Sequence, residues 1–97
     1  MRAYEMMFIL KPDLTDEQIA EVKERLKKII ADLGGEFLGE AEGWGRKRLA
    51  YEIEKYNEGI YSVWNFQGEP AVAHELDRVI KLSDRVLRHM ILRKDEK

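Results

Sequence analysis

Two stretches of helical periodicity, each bracketed by extended segments, set the order of elements in this chain and leave few ways to fold it. The first follows Lys11-Pro12-Asp13, a sequence that breaks the segment before it. Thr15 and Gln18 form a capping-box pattern, and Asp16 and Glu17 suit the positive end of a helix. Ile19, Val22, Leu26, Ile29, Ile30 and Leu33 recur at helical spacing and define one buried stripe. Glu21, Lys23, Glu24, Lys27 and Lys28 make the wet face, and Gly34-Gly35 closes the helix with a left-handed cap. The second helix begins near Pro70, a good first-turn residue. Val72, Leu76, Val79 and Ile80 are its apolar stripe, and it ends near Ser83-Asp84.

The remaining segments read as strands. Arg2 to Leu10 alternates Tyr4, Met6, Phe8 and Leu10 with Ala3, Glu5, Met7 and Ile9, and both sets are largely apolar, as in a central strand. Glu36 to Ile53 is too long for one flat strand, and Gly39, Gly43 and Gly45 predict a bulge or bend near its middle. Glu54 to Glu58 is expected to be a polar turn, with Asn57 and Gly59 supplying turn chemistry. Gly59 to Gln67 is β-forming, with Ile60, Trp64 and Phe66 on one face and Tyr61 and Val63 on the other. Pattern alone leaves open which set points inward. Val86 to Lys94 is the last strand. The order is β-α-β-β-α-β over a single domain, residues 1–97. This predicts an α+β, ferredoxin-like fold: a four-stranded antiparallel sheet with two helices on one face.

The other sheet face is then left uncovered by the chain. Met7 and Ile9 are expected there, and an apolar patch of that kind calls for a partner surface. Aliphatic stems of Lys and Arg are the alternative cover.

Composition narrows the function. At 97 residues, 44% hydrophobic and 37% charged, the chain is expected to be globular. No apolar run is long enough to span a bilayer, and the first residues lack a signal-peptide pattern. With no cysteine, disulfides and cysteine-based metal sites are excluded, and a cytosolic protein is the plain expectation. The net charge of −2 predicts a small phosphate footprint, with a second protein supplying the rest.

Positive charge is concentrated instead. Arg46-Lys47-Arg48 follows Gly45 and leads into Leu49-Ala50-Tyr51-Glu52-Ile53, placing clustered cations beside rings that can stack. Cations on an edge strand also serve simply to keep it soluble. Arg46 and Arg48 should point to one side of the strand and Lys47 to the other. Arg85, Arg88, Arg93 and Lys94 form the second concentration.

Several of these residues resemble one family, the bacterial small-subunit ribosomal protein six. The resemblance lies in Met1-Arg2-x-Tyr4-Glu5, the break at Pro12, the run Gly-x-Lys-Arg-Leu-Ala-Tyr-x-Ile from Gly45 to Ile53, Gly59, and Asp84 before the last strand. It implies a ferredoxin-like fold, binding to the central domain of 16S ribosomal RNA on the ribosome, and a heterodimer with ribosomal protein S18. An acidic protein can sit on RNA when a basic companion neutralises much of the phosphate. In such a fold Arg2, Arg88, Arg93 and Lys94 would gather into one compact basic patch. With Arg46, Lys47 and Arg48 they are the expected RNA contacts, which position rather than specify. Met7, Ile9, Trp44, Tyr51 and Tyr61 are the expected partner-protein interface. Tyr51, Tyr61 and Trp64 can stack on bases, but large rings in a small domain mostly fill space.

Catalysis finds little support. His74 and His89 are the only histidines, and no nucleophile–base pair is evident. Gly39-x-x-x-Gly43-x-Gly45 lacks the lysine and hydroxyl of a phosphate loop. Glu17, Glu21 and Glu24 read as a solvated helix face rather than a metal cluster. No cofactor and no metal is expected. Ferredoxin-like folds do host enzymes, among them acylphosphatases and small dimeric isomerases, so a homo-oligomeric enzyme is the second reading. An adaptor touching only protein is the third.

Overall fold

The structure, a computed structural model, describes residues 1–94. The chain runs β1 (Arg2–Leu10), α1 (Asp16–Asp32), β2 (Glu36–Glu40), β3 (Gly45–Ile53), β4 (Tyr56–Gly68), α2 (Pro70–Leu82) and β5 (Val86–Arg93). All pairings are antiparallel: β1 lies between β4 and β5, and β2 and β3 lie along the outer edge of β4. The ferredoxin-like expectation holds, with one correction to the strand count. The long second extended segment is two strands, β2 on Trp64–Gln67 of β4 and β3 chiefly on Glu58–Tyr61. Positive φ at Gly43 and Gly45 makes the break, and Gly39 sits at a bulge within β2, conformations that glycine adopts without a steric penalty.

Tyr4, Met6, Phe8 and Leu10 face the helices, opposite Phe66, Trp64, Ser62 and Ile60. That register settles the inward parity of β4 in favour of Ile60, Trp64 and Phe66. Leu26 and Ile30 of α1 and Val72, Leu76 and Ile80 of α2 complete this core. Phe8 meets Trp64 edge-on at 5.1 Å, and Tyr4 stacks on Phe66 at 5.2 Å. The Trp64 indole donates to Glu40 at 2.9 Å, so its one polar atom is satisfied.

The capping box forms as the sequence demands: the Thr15 hydroxyl accepts from Gln18 N–H, and Gln18 Oε1 accepts from Thr15 N–H. Pro70 opens α2. Leu33 departs from the expected stripe. It is the C-cap of α1 and exposed, because the helix ends before its turn can press it onto the sheet. The β3–β4 turn also differs. It is only Glu54-Lys55, both at positive φ, with Ile53 opposite Tyr56. Asn57 and Gly59 are strand residues. Gly59 is needed for space, since a Cβ there would lie 2.4 Å from Ile9 Cγ2.

Candidate nucleic-acid and partner interface

Strand alternation decides what the uncovered sheet face presents. Opposite the helices lie Ala3, Glu5, Met7 and Ile9 of β1, with Tyr61, Val63, Asn65 and Gln67 beside them on β4. On the other side β5 contributes Arg88, Met90 and Leu92, paired with Ile9, Met7 and Glu5. Met90 is 46% and Leu92 48% exposed. Period-two reading of Val86 to Lys94 groups Met90 and Leu92 on one face with Arg88, but does not give the side of the sheet that face takes.

At one end of this face the β3–β4 hairpin curls over. Leu49 and Ile53 pack with Ile9 and Leu87 into a second buried cluster, on the sheet side away from the helices. A cavity of about 270 Å³ opens beside it, lined by Met7, Ile9, Tyr51, Tyr61 and Met90 among others. Four of the five expected interface residues therefore converge on one hollow. Trp44, the fifth, stacks on Tyr61 at 5.8 Å and joins the same surface at its edge.

The cations are less unified. Arg46 and Lys47 sit opposite Ile60 and Gly59, which face opposite sides of the sheet, as alternation requires. Arg46 is occupied: it pairs with Glu58 at 2.6 Å and donates to the Pro12 carbonyl at 3.1 Å. The Lys47 ammonium lies 5.6 Å from the Trp44 ring centroid. Arg48 is exposed and has no acidic partner among the described residues.

The expected compact patch of Arg2, Arg88, Arg93 and Lys94 does not form. Arg93 pairs with Tyr4, so it and Arg2 belong to the helix-side parity. Lys94 bonds Asn65 on the uncovered face, at the same end of the sheet. Arg88 lies five residues from Arg93, about 17 Å at strand rise, next to the hollow. The strand register separates what proximity in sequence suggested.

His89, an awkward residue for a strand, has its explanation on the helix side. Its Nε2 lies 2.6 Å from Asp77 Oδ1 of α2, while Lys81 reaches the other oxygen at 2.8 Å. Hydrogen bonds from Lys81 and then His89 hold the Asp77 carboxyl below its ordinary range. Beside the hairpin turn the Tyr56 hydroxyl donates to Asp13 at 3.0 Å, which raises the phenol above its usual value. Glu21 pairs with Arg85, Glu17 and Glu24 are exposed, and no group of three potential metal ligands occurs among the described residues. No described helix is long and apolar enough to cross a membrane.

Two helices on one side of an antiparallel sheet, with the other side left open, define a ferredoxin-like α+β protein. Residues 3–93 match the family described as Ribosomal protein S6. The chain is 64% identical to the small ribosomal subunit protein bS6 of Syntrophomonas wolfei over 97 residues, covering 100% of both. It is 53% identical to the bS6 of Desulforudis audaxviator over 95 residues, 98% of this chain and 100% of that one. The crystal structure of 30S ribosomal protein S6 from Thermotoga maritima superposes with a TM-score of 0.87 at 33% identity, covering 96% of this chain and 87% of that one. This chain belongs to the ribosomal protein S6 family of the small ribosomal subunit.

Proposed function

We propose that the protein is a structural, non-catalytic component of the bacterial small ribosomal subunit, working on the ribosome in the cytoplasm. It binds the central domain of 16S ribosomal RNA together with ribosomal protein S18. The observation that carries this reading is the row Met7, Met90 and Leu92 on the open sheet face of a chain with net charge −2. Met7 is half-buried, but Met90 and Leu92 are exposed beside it, and apolar side chains presented in this way are what a partner protein covers. The acidic total leaves phosphate neutralisation to be shared, and Arg2, Lys47, Arg48, Arg88 and Lys94 are this chain's share.

The test is RNA affinity measured with and without the basic partner across a salt series. Expected are weak binding alone, a large gain with the partner, and a linear fall of log affinity with log salt. Arg48→Ala should reduce that slope by about 0.7 to 0.9. Met90→Asp should weaken partner binding at least about tenfold while leaving thermal stability within ~0.5 kcal/mol. Equally tight, salt-independent RNA binding by the chain alone would overturn the proposal.

A further inference from the structure

We propose that Trp44, backed by Tyr61 and overlaid by the Lys47 ammonium, is a stacking site for one unpaired nucleobase of the bound RNA, which displaces Lys47 from the ring toward its own phosphate. The inference rests on the RNA-binding reading above and gives it one specific point of contact.

Trp44 is 45% exposed, in a protein whose other tryptophan is fully buried. The indole is not there for want of room inside. It is presented by a turn between two glycines, Gly43 at φ +88° and Gly45 at φ +121°, a backbone path unfavourable to any residue with a Cβ. The ring is also held. Tyr61 lies beneath it at 5.8 Å with only 25° between the planes, and Tyr61 is itself fixed in β4 between Ile9 of β1 and Gly45 of β3. An exposed ring already stacked from behind loses little freedom when a second ring lands on it.

Charge points to a nucleotide rather than a peptide. Lys47 Nζ stands over the Trp44 ring, 5.6 Å from its centroid, and has no acidic partner among the described residues. Of the two carboxylates lining the hollow beside Trp44, Glu40 is neutralised by Lys23 at 3.1 Å. Glu42 is the remaining one, which places the phosphate on the Lys47 side of the ring. A stacked aromatic platform with an adjacent cation binds any base by its π-face and its phosphate by charge, without sequence preference. The apolar centre of the sheet face, around Met7, Met90 and Leu92, is left to the protein partner, with Trp44 at its margin.

The two tryptophans make the experiment direct. Trp64 is buried with its indole N–H bonded to Glu40, so acrylamide quenches chiefly Trp44. Adding the basic partner protein alone should leave that quenching in place. Adding the central-domain fragment of 16S RNA to the pair should suppress it. Trp44→Leu should weaken RNA binding by the pair about 5- to 100-fold with partner affinity unchanged, and Trp44→Phe should retain most of the affinity. Protection of Trp44 by the partner alone would make it a protein contact and overturn the proposal. So would undiminished RNA binding by Trp44→Leu. A wild-type pair that bound no RNA would instead sink the function proposed above.

Discussion

Gly59→Ala is the substitution whose effect the structure sets most tightly. Gly59 is buried in β4, and its backbone is not in the left-handed region, so alanine meets no conformational barrier there. On that ground alone the change would stabilise by about 0.4–1 kcal/mol, through a less flexible unfolded chain. The obstacle is space. The new methyl would sit 2.4 Å from Ile9 Cγ2, 3.3 Å from the Leu10 carbonyl and 3.6 Å from Leu49 Cδ2. Cγ2 branches directly from Cβ, so it cannot swing aside without the whole Ile9 side chain changing rotamer. Overpacking of this kind costs about 1–3 kcal/mol. The net expectation is destabilisation by about 1–2 kcal/mol, or a fall in Tm of about 5–15 °C for a chain of this size. Urea and thermal unfolding measure it. Ile9→Leu removes the Cγ2 branch, so the double variant should recover at least half of the loss. If Gly59→Ala proved as stable as the parent, the second core cluster would not be the tightly packed seat described above.

Three further outcomes are expected. Ser62 is fully buried opposite Phe8 and its hydroxyl has no partner among the described residues, so Ser62→Ala should stabilise by about 1 kcal/mol in urea titrations. Lys55→Gly should gain about 0.5–1 kcal/mol by relieving a left-handed turn residue at φ 73°, and a loss would show that the lysine makes a compensating contact. The Asp77 carboxyl, held below its ordinary value near 3.8, stabilises the fold fully above that value and ceases to do so as pH falls through its lowered folded value. Between pH ~5 and pH ~2 the parent should therefore lose more stability than Asp77→Asn, as followed by circular dichroism.

Local chemistry was legible wherever it acts over a few residues. The Thr15–Gln18 box, Pro70 at the start of α2, the Gly34 cap, the bulge at Gly39 and the bend through Gly43 and Gly45 all follow from rules of short range. So did the side-to-side alternation of Arg46 and Lys47. What escaped were consequences of register. Gly59 looks like a turn residue in sequence, and only the approach of Ile9 from β1 shows that it is a packing residue. Arg88 and Arg93 look clustered, yet a strand spreads them along its length and the pleat turns them to different faces. Met90 and Leu92 emerged as surface because β5 pairs with β1 in one particular phase, which no local pattern encodes. His89 made sense only once α2 brought Asp77 to it.

That last pair has a consequence for β5 as a whole. Its back is bolted to α2 through His89 and Asp77, while Met90 and Leu92 stand on its front. A strand cannot roll about its own axis without carrying both sides with it. Any tilt of the front would have to break a 2.6 Å bond behind, so Met90 and Leu92 keep one fixed pose, and their ordering is settled during folding.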